Sequence, residues 1–376
     1  MKETEKYIIP GACSCMTLTS KSGKHYWFRT CDIETDLWED GAHVVQQAAG
    51  GKIQYGNGTK EEAKYTYLGV TYNRFDTWLL DGVNQWGLVG GLLMLYEGTS
   101  VEKPEKGKMG YVGMELVTKL LASCKNVREV TALAKQIQIL NIPYGEQSLP
   151  ATMHYFFSDV TGDEVILEAS DTECPGILRI YTKEEILGVM TNSPPYWQQL
   201  ENLSWFLSRS PELKQGKWGQ AVTELFFDGR IIRADEKAEH ITQNGTFPAS
   251  YSSYDRFIRA AVFKALNNSG NYFEDHKMLA LGSNLMSTLY EPSSGGVFHY
   301  SKIEDDGTIT GQKDSFTQYL IMYDLDKKCF YIKVFDTVSW VEYPLQELAY
   351  GEKKSYEILH YPMFGILKGT SMTPSN

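Results

Sequence analysis

The 376-residue chain contains no run of about 18 apolar residues, so nothing in it reads as a membrane-spanning helix. Its 7 histidines are scattered, without metal-ligand spacing, and no glycine-rich loop of the phosphate-cradling kind occurs. Neither a metal nor a cofactor is therefore expected. Positive charge is in deficit: 36 Lys and Arg stand against 47 Asp and Glu, a formal net charge of -11. That balance argues against nucleic acid as the main partner. The six cysteines, at positions 13, 15, 31, 124, 174 and 329, are too dispersed for a disulfide framework. The first dozen residues carry Lys2, Glu3, Glu5 and Lys6 with only Tyr7-Ile8-Ile9 behind them, too short an apolar stretch for a signal peptide. A cytoplasmic, reducing location is the expectation.

At 42% hydrophobic residues and 376 positions the chain can bury a large core as one domain or two. No repeat, low-complexity run or interdomain linker divides it. Its organising stretch lies near the start. Cys13 to Thr19 alternates and is rich in β-formers, Ser20 to Lys24 has turn chemistry with Gly23, and His25 to Thr30 is strand-like again. This predicts a β-hairpin. A turn centred on Ser22-Gly23 would set Asp32 opposite Cys13, with Arg29 near the same end. Arg29 and Asp32 are three apart, so a regular strand points them to opposite faces. For both to reach Cys13 the strand must end or bulge between them. Read alone, the hairpin is more readily a piece of core than a catalytic site, since strand cysteines usually behave as small hydrophobes.

Short strand-like runs separated by Gly and Asn fill 42–96, as in an antiparallel meander. Helical spacing predicts helices over Met109–Cys124, Val127–Leu140, Trp197–Ser208, Gly219–Phe227, Ser253–Leu266 and His276–Leu289. Asn126 with Glu129 three residues later reads as a helix cap. Met153 to Ala169 returns to strands, and Gln318–Tyr323 with Cys329–Phe335 forms a closing antiparallel pair. Strand-rich halves around helical blocks give an α+β class.

Four ordered islands carry a resemblance. They are Cys13-Ser14 with Phe28-Arg29-Thr30-x-Asp32, then Asp81-Gly82-Val83-Asn84-x-x-Gly87-Leu88, Val189-Met190-Thr191-Asn192-Ser193-Pro194, and Arg256-Phe257-x-Arg259. Together they resemble the choloylglycine hydrolase family, the bile salt hydrolases and penicillin V acylases, which are N-terminal-nucleophile amidases. The resemblance implies a four-layer αββα sandwich, two stacked antiparallel sheets between helical layers, in a single catalytic domain over 13–376. It makes Met1–Ala12 a propeptide, where composition alone allows a disordered start. It implies Cys13 as nucleophile, Arg29 as the cation beside it, Asp32 as orienter of its amine, and Asn192 with the Met94 N–H as oxyanion donors. Arg256 completes the polar network. Members are often tetramers, so a homotetramer is implied as well.

The implied removal of residues 1–12 has a chemical rationale. A free α-amine titrates at about 7.7–8.0 and can act as base for its own side chain. The implied reaction is hydrolysis of a small-molecule linear amide through a thioester. Three other readings stay open: an acyltransferase on the same site, an inactive binding protein on the same scaffold, and a Cys–His peptidase needing a histidine near Cys13. Cys15, on the same strand face, is the rival nucleophile. Family members accept bile amides, penicillins or acyl homoserine lactones. The 228–251 segment, where relatives shape substrate access, departs from the family pattern, so the substrate stays open.

Overall fold

The computed structural model describes residues 13–358 apart from 34–36, 39, 73–74, 143–152, 210–223, 228–229, 234–247, 269–272, 293–298 and 304–308. The expectations for residues 1–12 and for most of 228–251 lie outside the described residues.

The predicted hairpin is present as β1 (Ser14–Thr19) and β2 (His25–Ile33). It lies inside a six-stranded antiparallel sheet in the order 189–191, β1, β2, 316–324, 329–334, 341–344. A second, eight-stranded antiparallel sheet runs 179–182, 164–168, 153–158, 89–94, 75–84, 67–72, 44–47, 353–356. β2 is central, and 25–33 is buried at all but its two ends. Its odd residues face the second sheet: Trp27 meets Phe156 at 6.4 Å between ring centroids and sits edge-on to Tyr323 at 5.6 Å. Gly91 opposite leaves the room, since a Cβ there would come within 2.7 Å of the indole. Its even residues face a helical layer: a Cβ at Gly282 of the Met278–Ser287 helix would sit 1.8 Å from the Phe28 ring.

Helices close both outer faces. Ser253–Asn268 and Met278–Ser287 pack on the first sheet, and Leu116–Ser123 and Val127–Ala134 on the second. This is the expected α+β, αββα layering.

Three details differ from expectation. The hairpin loop spans the expected Ser20–Lys24, but it does not centre on Ser22-Gly23: Thr19 stands opposite His25, so the register pairs Ser14 with Thr30 and Cys15 with Arg29. An odd loop centres on one residue, Ser22, and moves Asp32 one place past the position opposite Cys13. Second, the bulge expected within β2 lies on its neighbour. The register of 316–324 against β2 shifts between Thr317 and Tyr319 while β2 continues through. Third, three predicted helices are shorter, at Leu116–Ser123, Val127–Ala134 and Met278–Ser287, while Tyr196–Arg209 and Ser253–Asn268 run slightly past their predicted ends. Met109–Val112 and Ile137–Leu140 form a parallel two-stranded sheet, and Glu224–Phe227 is a strand paired with Arg230–Arg233. Tyr, Val, Ile and Phe in these runs favour strands, and tertiary pairing overrides the helical spacing. The Asn126 cap is present, its side chain accepting from the Glu129 N–H at 3.0 Å.

Candidate active site

The end of the hairpin gathers the groups that sequence reasoning named. Cys13 immediately precedes β1 and is 4% exposed. Arg29 points from β2 between the sheets, where its Nη2 donates to the Cys13 sulfur at 3.4 Å and to the Cys31 sulfur at 3.7 Å. Its Nη1 donates to the Asp81 carboxylate at 2.8 Å and to the Leu80 carbonyl at 2.5 Å. Asp81 also accepts from the hydroxyls of Tyr319, at 2.6 Å, and Tyr323. The second sheet thus holds the guanidinium through a fully buried, three-donor carboxylate.

Asp32 lies on the other face of β2, toward the helices. Its carboxylate accepts from Thr30 Oγ1 at 2.9 Å and Thr317 Oγ1 at 2.5 Å, while its backbone N–H points to the Cys13 sulfur. The bulge at Gln318 makes this possible. It turns Thr317 outward to Asp32 and leaves Tyr319 inward on Asp81.

From the Ser253–Asn268 helix, Arg256 Nη1 donates to the Cys13 carbonyl and to Ser14 Oγ, both at 2.6 Å. Its Nη2 donates to Asn192 Oδ1 at 3.2 Å. Asn192 Nδ2 in turn donates to the Met94 carbonyl at 3.2 Å. Cys13, Arg29, Asp32, Asn192, Met94 and Arg256 therefore form one connected network. Met94 meets Asn192 through its carbonyl. Arg259, by contrast, bonds to the carbonyls of Pro248, Ser250 and Thr288 and braces its helix.

The environment separates the three sulfurs. Cys13 is held well below the ordinary thiol value, chiefly by the hydrogen bond from the Cys31 thiol, against burial, with Arg29 and the Asp32 N–H adding to it. Burial pushes Cys15 and Cys31 well above that value. Burial and the Glu291 charge push Asp32 up, and burial pushes Glu291 up to about 8. The charge of Arg256, whose Nε lies 3.8 Å from Glu291, lowers both.

Sequence reasoning missed Asp81 as a site residue, although it opens the second island, and missed Cys31, Glu291, Thr317, Tyr319 and Tyr323. It also missed Gln199. That buried amide donates to the carbonyls of Asn192 at 2.5 Å and Pro194 at 3.0 Å and accepts from Thr191 Oγ1 at 2.7 Å, fixing the turn that carries Asn192. Gln199→Leu is expected to lose about 1–3 kcal/mol of stability for each buried group left unpaired. A urea midpoint lowered by less than one such group's worth would show that the turn holds itself. The histidines nearest in interest are engaged elsewhere: His25 with Thr19 at the turn, His43 with Asp76, and His154 with Glu168. Among the described residues no metal-binding cluster occurs and no helix is long and apolar enough to cross a membrane.

Residues 13–356 match the family model of linear amide C–N hydrolases, choloylglycine hydrolase family. The chain belongs to that family. It is an amidohydrolase acting on linear amides. It is 25% identical over 260 residues to a bile salt hydrolase/transferase of Clostridium perfringens, covering 67% of this chain and 71% of that one. A bile salt hydrolase/transferase of Lactiplantibacillus plantarum is 24% identical over 331 residues, 86% and 89% of the two chains. A solved variant of the conjugated bile acid hydrolase from Clostridium perfringens superposes with a TM-score of 0.71 at 20% identity, over 92% of this chain and 97% of that one. The penicillin V acylase from Agrobacterium tumefaciens gives 0.65 at 19% identity, over 91% and 90%. These two structures share the fold of the chain, two stacked antiparallel sheets between helical layers.

Proposed function

We propose that this family member hydrolyses conjugated bile salts or penicillin V-type amides through a thioester on Cys13, after removal of Met1–Ala12. The observation that carries the reading is the split among the three sulfurs: Cys13 alone is lowered below the ordinary thiol value, in contact with Arg29 and linked through Arg256 to Asn192. Cys13 Sγ attacks the amide carbon. Its α-amine, exposed by the cut, takes the thiol proton and passes it to the leaving amine. The Asn192 amide, released from the Met94 carbonyl, and a backbone N–H at Met94 hold the oxyanion. Water then releases the acid and restores the thiol.

Asp32 supports the same reading by its discomfort. Burial and Glu291 push its carboxyl up while the chain ahead of Cys13 is uncleaved. An ammonium at Cys13 would supply the missing cation, so the cut relieves an electrostatic cost and gives the amine an orienter.

Intact-mass measurement of active protein tests the processing, and release of glycine or taurine from bile conjugates against cleavage of penicillin V tests the substrate. A mature species beginning at Cys13 is the expected result; full activity in molecules retaining Met1–Ala12 would end the mechanism. Acyl transfer is a second reading, favoured by the hydrolase/transferase names of the Clostridium perfringens and Lactiplantibacillus plantarum relatives. It predicts that an added amino acid is acylated at the expense of free acid.

A further inference from the structure

One thiol beside the nucleophile takes no covalent part in the mechanism. Cys31 is a second buried thiol, free like all six cysteines, and its side chain is hydrogen-bonded to the Cys13 sulfur. One nitrogen, Arg29 Nη2, donates to both sulfurs, at 3.4 and 3.7 Å. The hairpin register explains the contact. Ser14 pairs with Thr30 and Cys15 with Arg29, so the next step outward sets Cys13 opposite Cys31. Directly opposed residues of an antiparallel pair have Cα atoms about 4.5–5.5 Å apart. That range lies inside the window of about 4.4–6.8 Å over which a disulfide closes without moving the backbone.

We infer that Cys13 and Cys31 form an oxidisable dithiol, a site that takes a hydroperoxide and closes as a cross-strand disulfide. The inference rests on the amidase reading only in taking Cys13 as the sulfur that solvent reaches. Any path that brings an amide carbonyl to this sulfur also admits a molecule the size of hydrogen peroxide.

The chemistry balances. The Cys13 thiolate attacks one peroxide oxygen; the S–O bond forms, the O–O bond breaks, and the departing hydroxide takes a proton and leaves as water. Sulfur is oxidised to the sulfenic acid and peroxide is reduced. The Cys31 sulfur then attacks the Cys13 sulfur; the S–S bond forms, the S–O bond breaks, and the leaving hydroxide takes the Cys31 proton as a second water. Two thiols and one peroxide give one disulfide and two waters. Burial keeps Cys31 in its thiol form, so it carries the proton this second step needs. Arg29 stays beside both sulfurs throughout and stabilises the thiolate that begins the sequence.

Cys15 competes poorly as the resolving thiol. It lies two residues along the same strand, about 6.4–6.8 Å away, with its Cβ parallel to that of Cys13 and not converging on it. Cys31 approaches from across the pair. The consequence is a reversible off state: the disulfide blocks turnover and shields Cys13 from the sulfinic acid, which thiols do not reverse.

The test exposes the reduced, mature chain to a small molar excess of hydrogen peroxide, blocks remaining thiols with iodoacetamide, and maps peptides without reduction. The expected result is a mass lower by two hydrogen atoms, a linked Cys13–Cys31 peptide, and amidase activity lost and then recovered with dithiothreitol. In Cys31→Ser, the same treatment is expected to leave Cys13 as sulfinic acid, with no recovery. A Cys13–Cys15 link, a link through the exposed Cys174, or no intramolecular link in the wild-type protein overturns the proposal. So does equal recovery in wild type and Cys31→Ser. The mass map is read on the wild-type chain, so it decides the matter even if the variant fails to fold. It also decides if no amide tried is a substrate, which separates its failure from failure of the amidase reading.

Discussion

Cys13→Ala is expected to lower turnover by about 10⁴-fold or more, the order seen when a covalent nucleophile is removed, and to leave Met1–Ala12 attached. Both losses follow from one atom. By the proposed mechanism the sulfur that attacks substrate also attacks the Ala12 carbonyl, so the variant stays uncleaved and its α-amine stays an amide. Cys15→Ala is the control. Cys15 lies wholly inside the sheet interface, and burial pushes its thiol well above the ordinary value, so it offers neither access nor a thiolate. Its replacement is expected to keep both cleavage and turnover at a modest packing cost. Intact mass and initial rates for the two variants check this. Equal losses from both would move the nucleophile to Cys15.

The hairpin was legible because its residues satisfy a local rule, alternation broken by turn chemistry at Ser20–Lys24. Its register was not, because a five-residue loop and a four-residue loop leave almost the same trace in sequence. That single residue decides that Cys31, and not Asp32, faces Cys13. The polar support was invisible for a different reason. Tyr319 and Tyr323 reach Asp81 across 238 and 242 positions, and Thr317 reaches Asp32 across 285. Nothing local to any of them marks the partner. The bulge at Gln318 sends Thr317 and Tyr319, two apart, to opposite faces and so breaks the period-2 rule on which a strand reading depends. Asn192 and Arg256 were found through short motifs, and the structure connects them to Cys13 as those motifs suggest. Gln199 is one turn into the helix after the Asn192 motif, where an inward-facing amide is a signal that periodicity alone could have raised. The strands at Met109–Val112 and Ile137–Leu140 were read as helix ends because they pair with each other across an intervening helical block.

Arg29→Met is expected to be the most damaging change outside the nucleophile, and its pH profile separates its two roles. The guanidinium is buried and bonded to Asp81, so its loss leaves a carboxylate in the sheet interface with only two tyrosine hydroxyls. Breaking a buried pair on one side costs about 3–5 kcal/mol. The double variant with Asp81→Asn removes the stranded charge and should recover part of that loss. The catalytic role responds differently. Cys13 is held low by the Cys31 hydrogen bond first and then by the Arg29 charge and its hydrogen bond, against burial, which raises it. Taking away Arg29 deletes two of the lowering causes and leaves the raising one, so the thiol pKa climbs. At neutral pH less thiolate is present, turnover falls by about tenfold for each unit the thiol pKa climbs above the ambient pH, and the acidic limb of kcat/KM moves to higher pH. The Asp81→Asn change relieves stability without restoring this charge, so the shifted limb should persist in the double variant. Alkylation of Cys13 by iodoacetamide as a function of pH, followed on its own peptide, reads the thiolate directly. If that alkylation profile stays where it is in the wild-type protein while stability falls, Arg29 is a structural strut and the thiolate is held by Cys31 and the Asp32 N–H alone.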